Sequence, residues 1–305
     1  MRIPNPDLLL MKKSLTPIAI SLLLSIHLVN CQESSKNRPN PIELTSDFKS
    51  YWYQGEAEIS TYELSQNRYG ELRNGTATLI YVTEDFLPIK QVKADISAPK
   101  NIPVLKLNSV KKFTTGIYPY SIMQSSFSPL KGEKKHALKT TASIQEWCGQ
   151  TFMQLNNKKN FEIDIKSYFA SEGDQKLSLQ KSILENELWN LIRIHGDKLL
   201  PKGEINCIPS FEFLRLNHKK TQSYKAIASI QKNNNLNTFS LTYPELKRSL
   251  KITFQQQFPY IIESWSEEIS PHLPTTAKRI TTKLLPYWNQ NSNKFTPLRK
   301  ELGLQ

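Results

Sequence analysis

The chain has 305 residues, with 40 Lys and Arg against 27 Asp and Glu, and a formal net charge of +13. This length suits one large domain or two small ones. A basic surface attracts an anionic membrane or an acidic glycan, although dispersed Lys pairs are equally typical of a solubilising surface. The chain has three cysteines and no CxxC spacing, which argues against a metal site held by cysteines.

The first 30 residues have the layout of a secretory signal. Lys12 and Lys13 precede an apolar run from Ile18 to Val29, and a positive region followed by a short apolar region is typical of such signals. The run is too short to span a bilayer, which needs roughly 20 apolar residues. We therefore predict a signal peptide at residues 1–30, starting at Met1 or at Met11.

The signal ends in Leu28-Val29-Asn30-Cys31. This segment resembles the lipobox of bacterial lipoproteins, in which the cysteine receives a lipid and becomes the new N-terminus. The resemblance predicts lipidation of Cys31 and a membrane anchor, and the alternative is an ordinary secretory signal with an incidental cysteine. Removal of residues 1–30 leaves a formal charge of +11, and export argues against a nucleic-acid partner.

Residues 31–46 are mostly polar and contain prolines, which predicts a flexible tether. The rest, 47–305, is predicted to be a single β-rich domain with a soft boundary near 199–204. Gln32 stands where an inner-membrane lipoprotein often has aspartate. We therefore expect a lipid-anchored envelope protein, at the outer membrane, facing the periplasm or the cell surface.

Most of the domain has the sequence pattern of antiparallel strands. Apolar and polar residues alternate in segments rich in Ile, Thr, Phe and Tyr, and this period of two predicts β-strands. The dipeptide Asn74-Gly75 predicts a type I′ turn that joins a strand near 56–64 to the next one, and a second turn is predicted at 233–237. The predicted strands are 76–83, 138–144, 161–165, 211–216, 239–243, 250–254 and 278–284.

One segment, at about residues 182–194, predicts an α-helix. Ser182 and Glu185 have the spacing of a capping box, apolar residues follow on one helical face, and Pro201 prevents the helix from continuing. The predicted fold is therefore mainly β: a curved antiparallel sheet or an incomplete barrel with one packed α-helix. Such a sheet offers a concave face that can hold a small ligand.

Metal and cofactor motifs are absent from the sequence. The four histidines after the signal form no HxH or HExxH pattern, and no GxSxG, P-loop or GxGxxG occurs, so we predict no metal and no cofactor. Cys148 and Cys207 are either a disulfide formed in an oxidising compartment or two separate buried thiols. The histidines are His136, His195, His218 and His272.

Two acidic residues lie beside tryptophans, Glu146 before Trp147 and Glu263 two residues before Trp265. Glycan-cleaving sites use two carboxylates about 5–10 Å apart, so Glu146 and Glu263 are the candidate catalytic pair. The other interpretation is that the rings belong to the core or rim and the acids face solvent. Aromatic rings in a cleft also stack on sugars or apolar ligands. The candidate ligand-binding rings are Trp147, Tyr118, Tyr120 and Trp265.

Several segments carry a family resemblance through almost the whole mature chain: YWYQGEAEISTYEL, RYGELRNGTATLIYVTEDF, TGIYPYSIMQSSFSP, SIQEWCGQ and the closing YWN and LRKELGLQ. They resemble a family of Gram-negative lipoproteins of unknown function. Members are sometimes labelled septum formation inhibitor, the name of Maf-type nucleotide pyrophosphatases. Those enzymes have an N-terminal Ser-Pro-Arg-Arg-like motif that this chain lacks. The resemblance implies a location and no catalytic residues.

Three hypotheses for function follow. The first is a non-enzymatic envelope protein that binds or carries an apolar or glycan ligand, or a protein partner, on its curved sheet. The second is a structural envelope protein without a cleft. The third is a glycan hydrolase that uses Glu146 and Glu263.

Overall fold

The computed structural model of the chain describes residues 44–132 and 135–304. The predicted signal peptide, the predicted lipidation site Cys31 and most of the predicted tether lie outside the described residues. Residues Asn40–Gln305 form one compact unit. Of the described residues, 54% are strand and 13% helix, which confirms the mainly β prediction. None of the helices in these residues is long and apolar enough to cross a membrane.

The described residues form sixteen strands, four α-helices and two short 3-10 turns. The first helix begins at Ser46, one residue inside the predicted tether, and the oxygen of its N-cap residue Thr45 accepts a hydrogen bond from Phe48 N. In chain order the elements are α1 (Ser46–Trp52), β1 (Ala57–Arg68), β2 (Glu71–Leu87), β3 (Val92–Lys93), β4 (Ile102–Thr115), β5 (Tyr118–Pro129), β6 (Lys139–Glu146), β7 (Gly149–Asn157), β8 (Phe161–Ser167), β9 (Gln175–Leu179), β10 (Ile183–Leu184), α2 (Glu185–His195), β11 (Gly203–Ile208), α3 (Phe211–Leu216), β12 (Tyr224–Asn233), β13 (Leu236–Tyr243), β14 (Arg248–Gln255), β15 (Ile262–Ile269), β16 (Thr275–Leu285), the 3-10 turns Tyr287–Asn289 and Asn293–Phe295, and α4 (Leu298–Glu301).

All sixteen strands belong to one sheet that does not close into a barrel. Its order runs β10-β11-β12-β13-β14-β15-β16-β1-β2-β4-β5-β6-β7-β8-β9, with β3 paired to β2 at the side. Neighbours are antiparallel except β10 and β11, which are parallel because α2 connects them. The last strand, β16, pairs with the first, β1, so the two halves of the chain meet in the middle of the sheet.

The sheet curves around α2. The side chains of this one helix bond to strands from β13, through Glu185 and Tyr243, to β5, through Asn186 and Gln124. Those two strands are seven strand spacings apart, which is roughly 34 Å in a flat sheet. A helix with its side chains is only about 10–12 Å wide. The strands therefore have to bend around the helix, which confirms the predicted curved, incomplete barrel.

The main core lies between α2, α3 and the concave face of the sheet. Leu188 and Ile192 of α2 are fully buried against rings such as Tyr62, Tyr81 and Phe239 from the strands. A smaller cluster of Phe86, Val104 and Leu138 is separate from the main core. The C-terminal segment covers part of β1, where Thr61 Oγ1 donates to the carbonyl oxygen of Leu302 at 2.6 Å.

The predicted β1–β2 hairpin forms, but its turn is not at Asn74-Gly75. The chain reverses at Tyr69 and Gly70, whose φ angles are 57° and 79°, and a type I′ turn needs two positive φ angles. Asn74 and Gly75 lie inside β2. Gly75 is needed there because a Cβ atom on it would lie 2.3 Å from the carbonyl oxygen of Lys112 on β4.

The predicted strand at 211–216 is wrong, because this segment is α3. Its alternation of apolar and charged residues does not separate a core face from a solvent face: all six residues are buried. Ser210 caps the helix by accepting a hydrogen bond from Phe213 N at 3.3 Å. The charged side chains Glu212 and Arg215 are accommodated by ion pairs instead of by water.

The other predicted elements are confirmed with shifted boundaries. The helix predicted at 182–194 is α2, and its first turn uses Glu187, which accepts from Leu184 N at 3.1 Å, in place of the predicted Ser182–Glu185 capping box. The turn predicted at 233–237 connects β12 and β13. The predicted strands 76–83, 138–144, 161–165, 239–243, 250–254 and 278–284 fall in β2, β6, β8, β13, β14 and β16.

Candidate functional site

A cavity of about 540 Å³ opens at one end of the curved sheet. Because neighbouring strands are antiparallel, the β1–β2, β6–β7 and β15–β16 connections all lie at this end, and residues from each of them line the cavity together with the end of α3. We call this space the end cavity. Its volume is in the range of small-molecule sites. More than half of its lining residues carry polar or charged side chains.

One wall of the end cavity consists of Arg68 and two tyrosines. The guanidinium carbon of Arg68 lies 4.3 Å from the ring centre of Tyr69 and 5.4 Å from that of Tyr120. The two phenol oxygens are 2.9 Å apart, and Arg68 Nη1 donates to the carbonyl oxygen of Leu216 at 2.8 Å. Burial raises the pKa of Tyr120. At Tyr69 burial acts in the same direction, but hydrogen bonds from neighbouring side chains and the charge of Arg68 outweigh it, so the pKa of Tyr69 is lowered.

A second wall consists of Arg215 and Phe169. The guanidinium carbon of Arg215 lies 4.0 Å from the centre of the Phe169 ring, and its Nη1 donates to Glu172 Oε1 over a long 3.3 Å. The same carboxylate oxygen lies 2.7 Å from His218 Nδ1. Leu216, whose carbonyl oxygen accepts from Arg68, follows Arg215 directly in α3, and both arginines line the cavity.

The floor of the end cavity carries two carboxyl groups, Glu212 and Glu267. Lys111 Nζ bonds to Glu212 Oε1 at 2.8 Å, and Arg248 Nε bonds to Glu267 Oε1 at 2.5 Å. Burial raises the pKa of Glu212 in spite of Lys111. Burial also acts to raise the pKa of Glu267, but the positive charges of Arg248 and Lys111 outweigh it and lower that pKa. Both floor carboxylates are thus in ion pairs with cations of the protein, although Arg248 is shared with a second carboxylate, that of Glu185.

Below this floor a small cavity of about 40 Å³ lies between α2 and the strands. Glu212 and Glu267 line both spaces, so they separate the end cavity from the interior. Arg248 also lines the small cavity and donates to both oxygens of Glu185 at 2.5 and 2.6 Å. Space of this size between polar groups is sufficient for buried water.

Several polar atoms beside the end cavity have no hydrogen-bond partner among the described residues. They are Gln66 Oε1, Thr151 Oγ1 and Arg215 Nε, and their residues are only 4%, 3% and 8% exposed. A buried polar atom without a partner costs free energy. All three residues line the end cavity, although these particular atoms have almost no accessible surface.

The structure places only one of the four predicted ligand-binding rings in the end cavity. This ring is Tyr120, which is buried and stacks on Phe113 with ring centres 4.9 Å apart. Trp265 belongs to the core and packs against Tyr62 and Trp189. The predicted cleft that joins these rings is therefore not formed.

Trp147 and Tyr118 lie beside the end cavity instead of inside it. Trp147 is 69% exposed at the β6–β7 turn, and its ring centre is 6.2 Å from that of Tyr118. Trp147 lines a shallow depression together with Pro119 and Gln150. This depression lies on the side of the sheet opposite to the inward-facing Tyr120.

The structure does not bring Glu146 and Glu263 together. Glu146 lies at the mouth of the end cavity, where its Oε2 accepts from Cys148 N at 2.6 Å. Glu263 bonds to Arg279 at 3.0 Å near the start of β15. The strand first lines the cavity at Glu267, four residues later, which is roughly 13 Å along an extended chain. Glu263 does not line the cavity that Glu146 borders, so the two residues of the predicted catalytic pair do not share this site.

Cys148 and Cys207 are both free, so the possible disulfide between them is not formed. Cys148 is exposed at the β6–β7 turn, and a hydrogen bond with Glu146 raises the pKa of its thiol. Cys207 is fully buried, and Tyr243 donates a hydrogen bond to its sulfur at 3.1 Å. Burial raises the pKa of the Cys207 thiol.

The four histidines are spread over the molecule. His218 and His272 line the end cavity, whereas His136 bonds to Glu187 at 2.8 Å. Burial and the charge of Lys198 lower the pKa of His195 to about 4. Within residues 44–132 and 135–304, no group of three His, Cys, Asp or Glu side chains is arranged to hold a metal ion.

Sequence reasoning missed the two arginines and the two floor carboxylates of the end cavity. Glu212 and Arg215 fall in a segment predicted to be a strand, whereas it is a helix in which both side chains are buried. Arg68 gave no signal because a single arginine near a predicted turn is ordinary. Their convergence depends on pairings such as Lys111 with Glu212, which are 101 residues apart in the chain.

No protein-family model matches the chain, and no curated protein sequence is significantly similar to it.

Proposed function

We propose that this chain is an exported, lipid-anchored protein of the bacterial envelope, at the outer membrane, that binds a saccharide in the end cavity without chemically changing it. The signal pattern and Cys31 support the anchoring half of the proposal. We also propose that the chain belongs to the family of Gram-negative lipoproteins of unknown function, because of the segments from YWYQGEAEISTYEL to LRKELGLQ that resemble it. The observation that carries the binding half is an open cavity of about 540 Å³ lined by rings and by polar side chains.

The lining favours a saccharide over an apolar ligand. Sugars present many hydroxyl groups, which need donors and acceptors such as Asn67, Asn217 and His218, and apolar faces, which pack against rings such as Tyr69 and Phe169. Each of these three polar side chains has one partner within the protein, and a lipid chain would desolvate their remaining donors and acceptors at a cost in free energy. The interior of the sheet, which a lipid carrier needs to keep open, is filled by α2 and by the core.

The same geometry argues for binding without catalysis. The carboxyl pair that the cavity does contain, Glu212 and Glu267, is held in ion pairs by Lys111 and Arg248. A general acid has to carry a proton and a nucleophile has to be free to attack. Two carboxylates bound to fixed cations do neither well, and they are better suited to hold the floor of a binding site in place.

The test is to block the cavity and measure bound ligand. The full chain with Cys31→Ser, purified from the periplasm under mild conditions, is studied by native mass spectrometry with and without Ile269→Trp. Ile269 lines the end cavity, so the larger ring fills part of it. We expect an additional mass that leaves on denaturation and that falls at least about tenfold in occupancy in Ile269→Trp.

The matched control is Ile227→Trp, the same change at a residue of β12 that is 49% exposed and does not line the cavity. It is expected to keep the bound mass. A bare polypeptide in the parent protein, or an additional mass that survives Ile269→Trp unchanged, contradicts binding in the end cavity. In that case a structural role or a protein partner becomes the leading hypothesis.

A further inference from the structure

Among the described residues, one arginine that lines the end cavity has no carboxylate partner. Arg68 is partly buried, and no carboxylate lies within ion-pair distance of it among the described residues. Its partners are the phenol oxygens of Tyr69 and Tyr120 and the carbonyl oxygen of Leu216. Because these groups are neutral, they hold the guanidinium in place without neutralising its positive charge.

Arg215 adds a second guanidinium that is only weakly neutralised. Its one carboxylate contact, to Glu172, is 3.3 Å long, and Glu172 also bonds to Ser167 at 2.7 Å and to His218 at 2.7 Å. Glu172 does not line the cavity, whereas Arg215 does. The buried Nε atom of Arg215 has no hydrogen-bond partner among the described residues, and the planar group is supported from one side by Phe169.

None of the carboxylates that line the cavity forms an ion pair with Arg68 or Arg215 among the described residues. On the floor, Lys111 pairs with Glu212, and Arg248 is shared between Glu267 and Glu185. Glu146 is at the mouth, where one of its oxygens accepts from the backbone of the β6–β7 turn. The centre of positive charge in the cavity is therefore on the side formed by α3 and the β1–β2 turn.

We propose that Arg68 and Arg215 form a subsite for a negatively charged substituent, and that the ligand of the end cavity is an acidic saccharide. This proposal rests on the proposed function and adds to it the charge of the ligand. A guanidinium presents paired N–H donors that match the two oxygens of a carboxylate. The formal charge of +11 on the chain after residue 30 also favours the approach of an acidic glycan.

The probe is trigalacturonic acid, compared with its methyl ester, which has the same rings and no charge. Binding of each to the full chain with Cys31→Ser is measured by isothermal titration calorimetry at low salt. We expect the acid to bind at least about tenfold more tightly than the ester. In Arg215→Gln the two are expected to bind within about twofold of each other.

Two further variants separate a local effect from a general one. Lys247→Gln removes one positive charge from an exposed turn at the same end of the sheet, outside the cavity, and it is expected to keep the preference for the acid. Arg68→Lys keeps the charge but not the paired donors, and it is expected to lose most of the preference. Thermal unfolding of each variant identifies any that fails to fold.

Each contrary result overturns the proposal in a defined way. Equal binding of acid and ester, or loss of the preference in Lys247→Gln, excludes a dedicated anion subsite. Binding of inorganic phosphate without binding of trigalacturonic acid excludes the saccharide. If neither saccharide binds, the acidic-saccharide assignment fails, while the Ile269→Trp comparison of bound mass still decides whether the end cavity binds anything.

Discussion

Buried charged residues are the most unusual feature of this protein at the scale of single side chains. Arg193 in α2 is 1% exposed, and both of its terminal nitrogens bond to the carboxylate of Glu58, which is fully buried. Arg193 Nε donates to the carbonyl oxygen of Pro259 at 2.9 Å, and Tyr51 donates to Glu58 at 2.5 Å. A buried pair is tolerated only when its remaining donors and acceptors are bonded in this way.

We predict that Arg193→Met destabilises the protein by about 3–5 kcal/mol, because it leaves the Glu58 carboxylate buried without its counter-charge. The free energy of unfolding is measured by urea denaturation. Lys232→Met is the control, since Lys232 pairs with Asp197 at the surface and is 63% exposed. Its expected cost is about 0–1 kcal/mol.

The double variant Arg193→Met with Glu58→Gln provides a further check on this cause. It removes the unpaired charge and is expected to recover part of the lost stability. If it is as unstable as Arg193→Met alone, the loss comes from packing of the long side chain and not from the uncompensated carboxylate.

The β1–β2 turn shows how two local signals compete at the scale of an element. Asn-Gly and Tyr-Gly both allow the positive φ angles of a tight turn, and Asn-Gly is the stronger sequence signal. The chain uses Tyr69-Gly70 because β1 and β2 then pair over eleven residues, from Glu58 with Tyr81 to Arg68 with Glu71. In this register Tyr62 and Leu64 are buried in the core.

We predict that Gly70→Ala lowers the free energy of unfolding by about 1–2 kcal/mol, because its φ of 79° is unfavourable for any residue with a Cβ atom. Asn74→Ala, inside β2, is expected to change it by less than about 0.5 kcal/mol. Thermal or urea unfolding of the two variants gives the comparison. If Asn74→Ala lowers the free energy of unfolding more than Gly70→Ala does, the turn is at Asn74-Gly75 instead.

The sequence predicts elements where one face is apolar and the other polar, and it fails where both faces are buried. β6 and β8 alternate because only one of their faces meets the core, and both were predicted near their true bounds. In α3 the same alternation is misleading, since Glu212 and Arg215 are buried in ion pairs. The candidate site was missed for the same reason: it consists of charged residues that only the tertiary fold brings together.

At the scale of the whole molecule, the sheet and its central helix form one continuous core. Most of the buried residues of the strands belong to one cluster that includes α2 and α3. Cys207 on β11 lies in that cluster and is fully buried, whereas Cys148 is exposed at a turn. A reagent can therefore reach the Cys148 thiol in the folded protein, whereas it can reach the Cys207 thiol only when the core opens.

We predict that an aromatic disulfide reagent labels one thiol in the folded Cys31→Ser chain and two in urea. The second thiol, Cys207, is expected to react over the same urea range as the loss of fluorescence, because its exposure requires the core to open. Cys148→Ser is expected to abolish the labelling of the folded protein, which identifies Cys148 as the thiol that reacts there. Absence of any reactive thiol in the folded protein contradicts the free state of Cys148.

The described chain begins at the end of the sheet opposite to the end cavity. Helix α1 packs there, with Tyr51 bonded to Glu58 and Trp52 beside Thr83, whereas Arg68 at the other end of β1 belongs to the cavity wall. Ten residues of extended strand separate Glu58 from Arg68, or roughly 33 Å. A protein held to a surface through its N-terminal side would thus present the mouth of its binding site outward, towards whatever passes through the space beyond that surface.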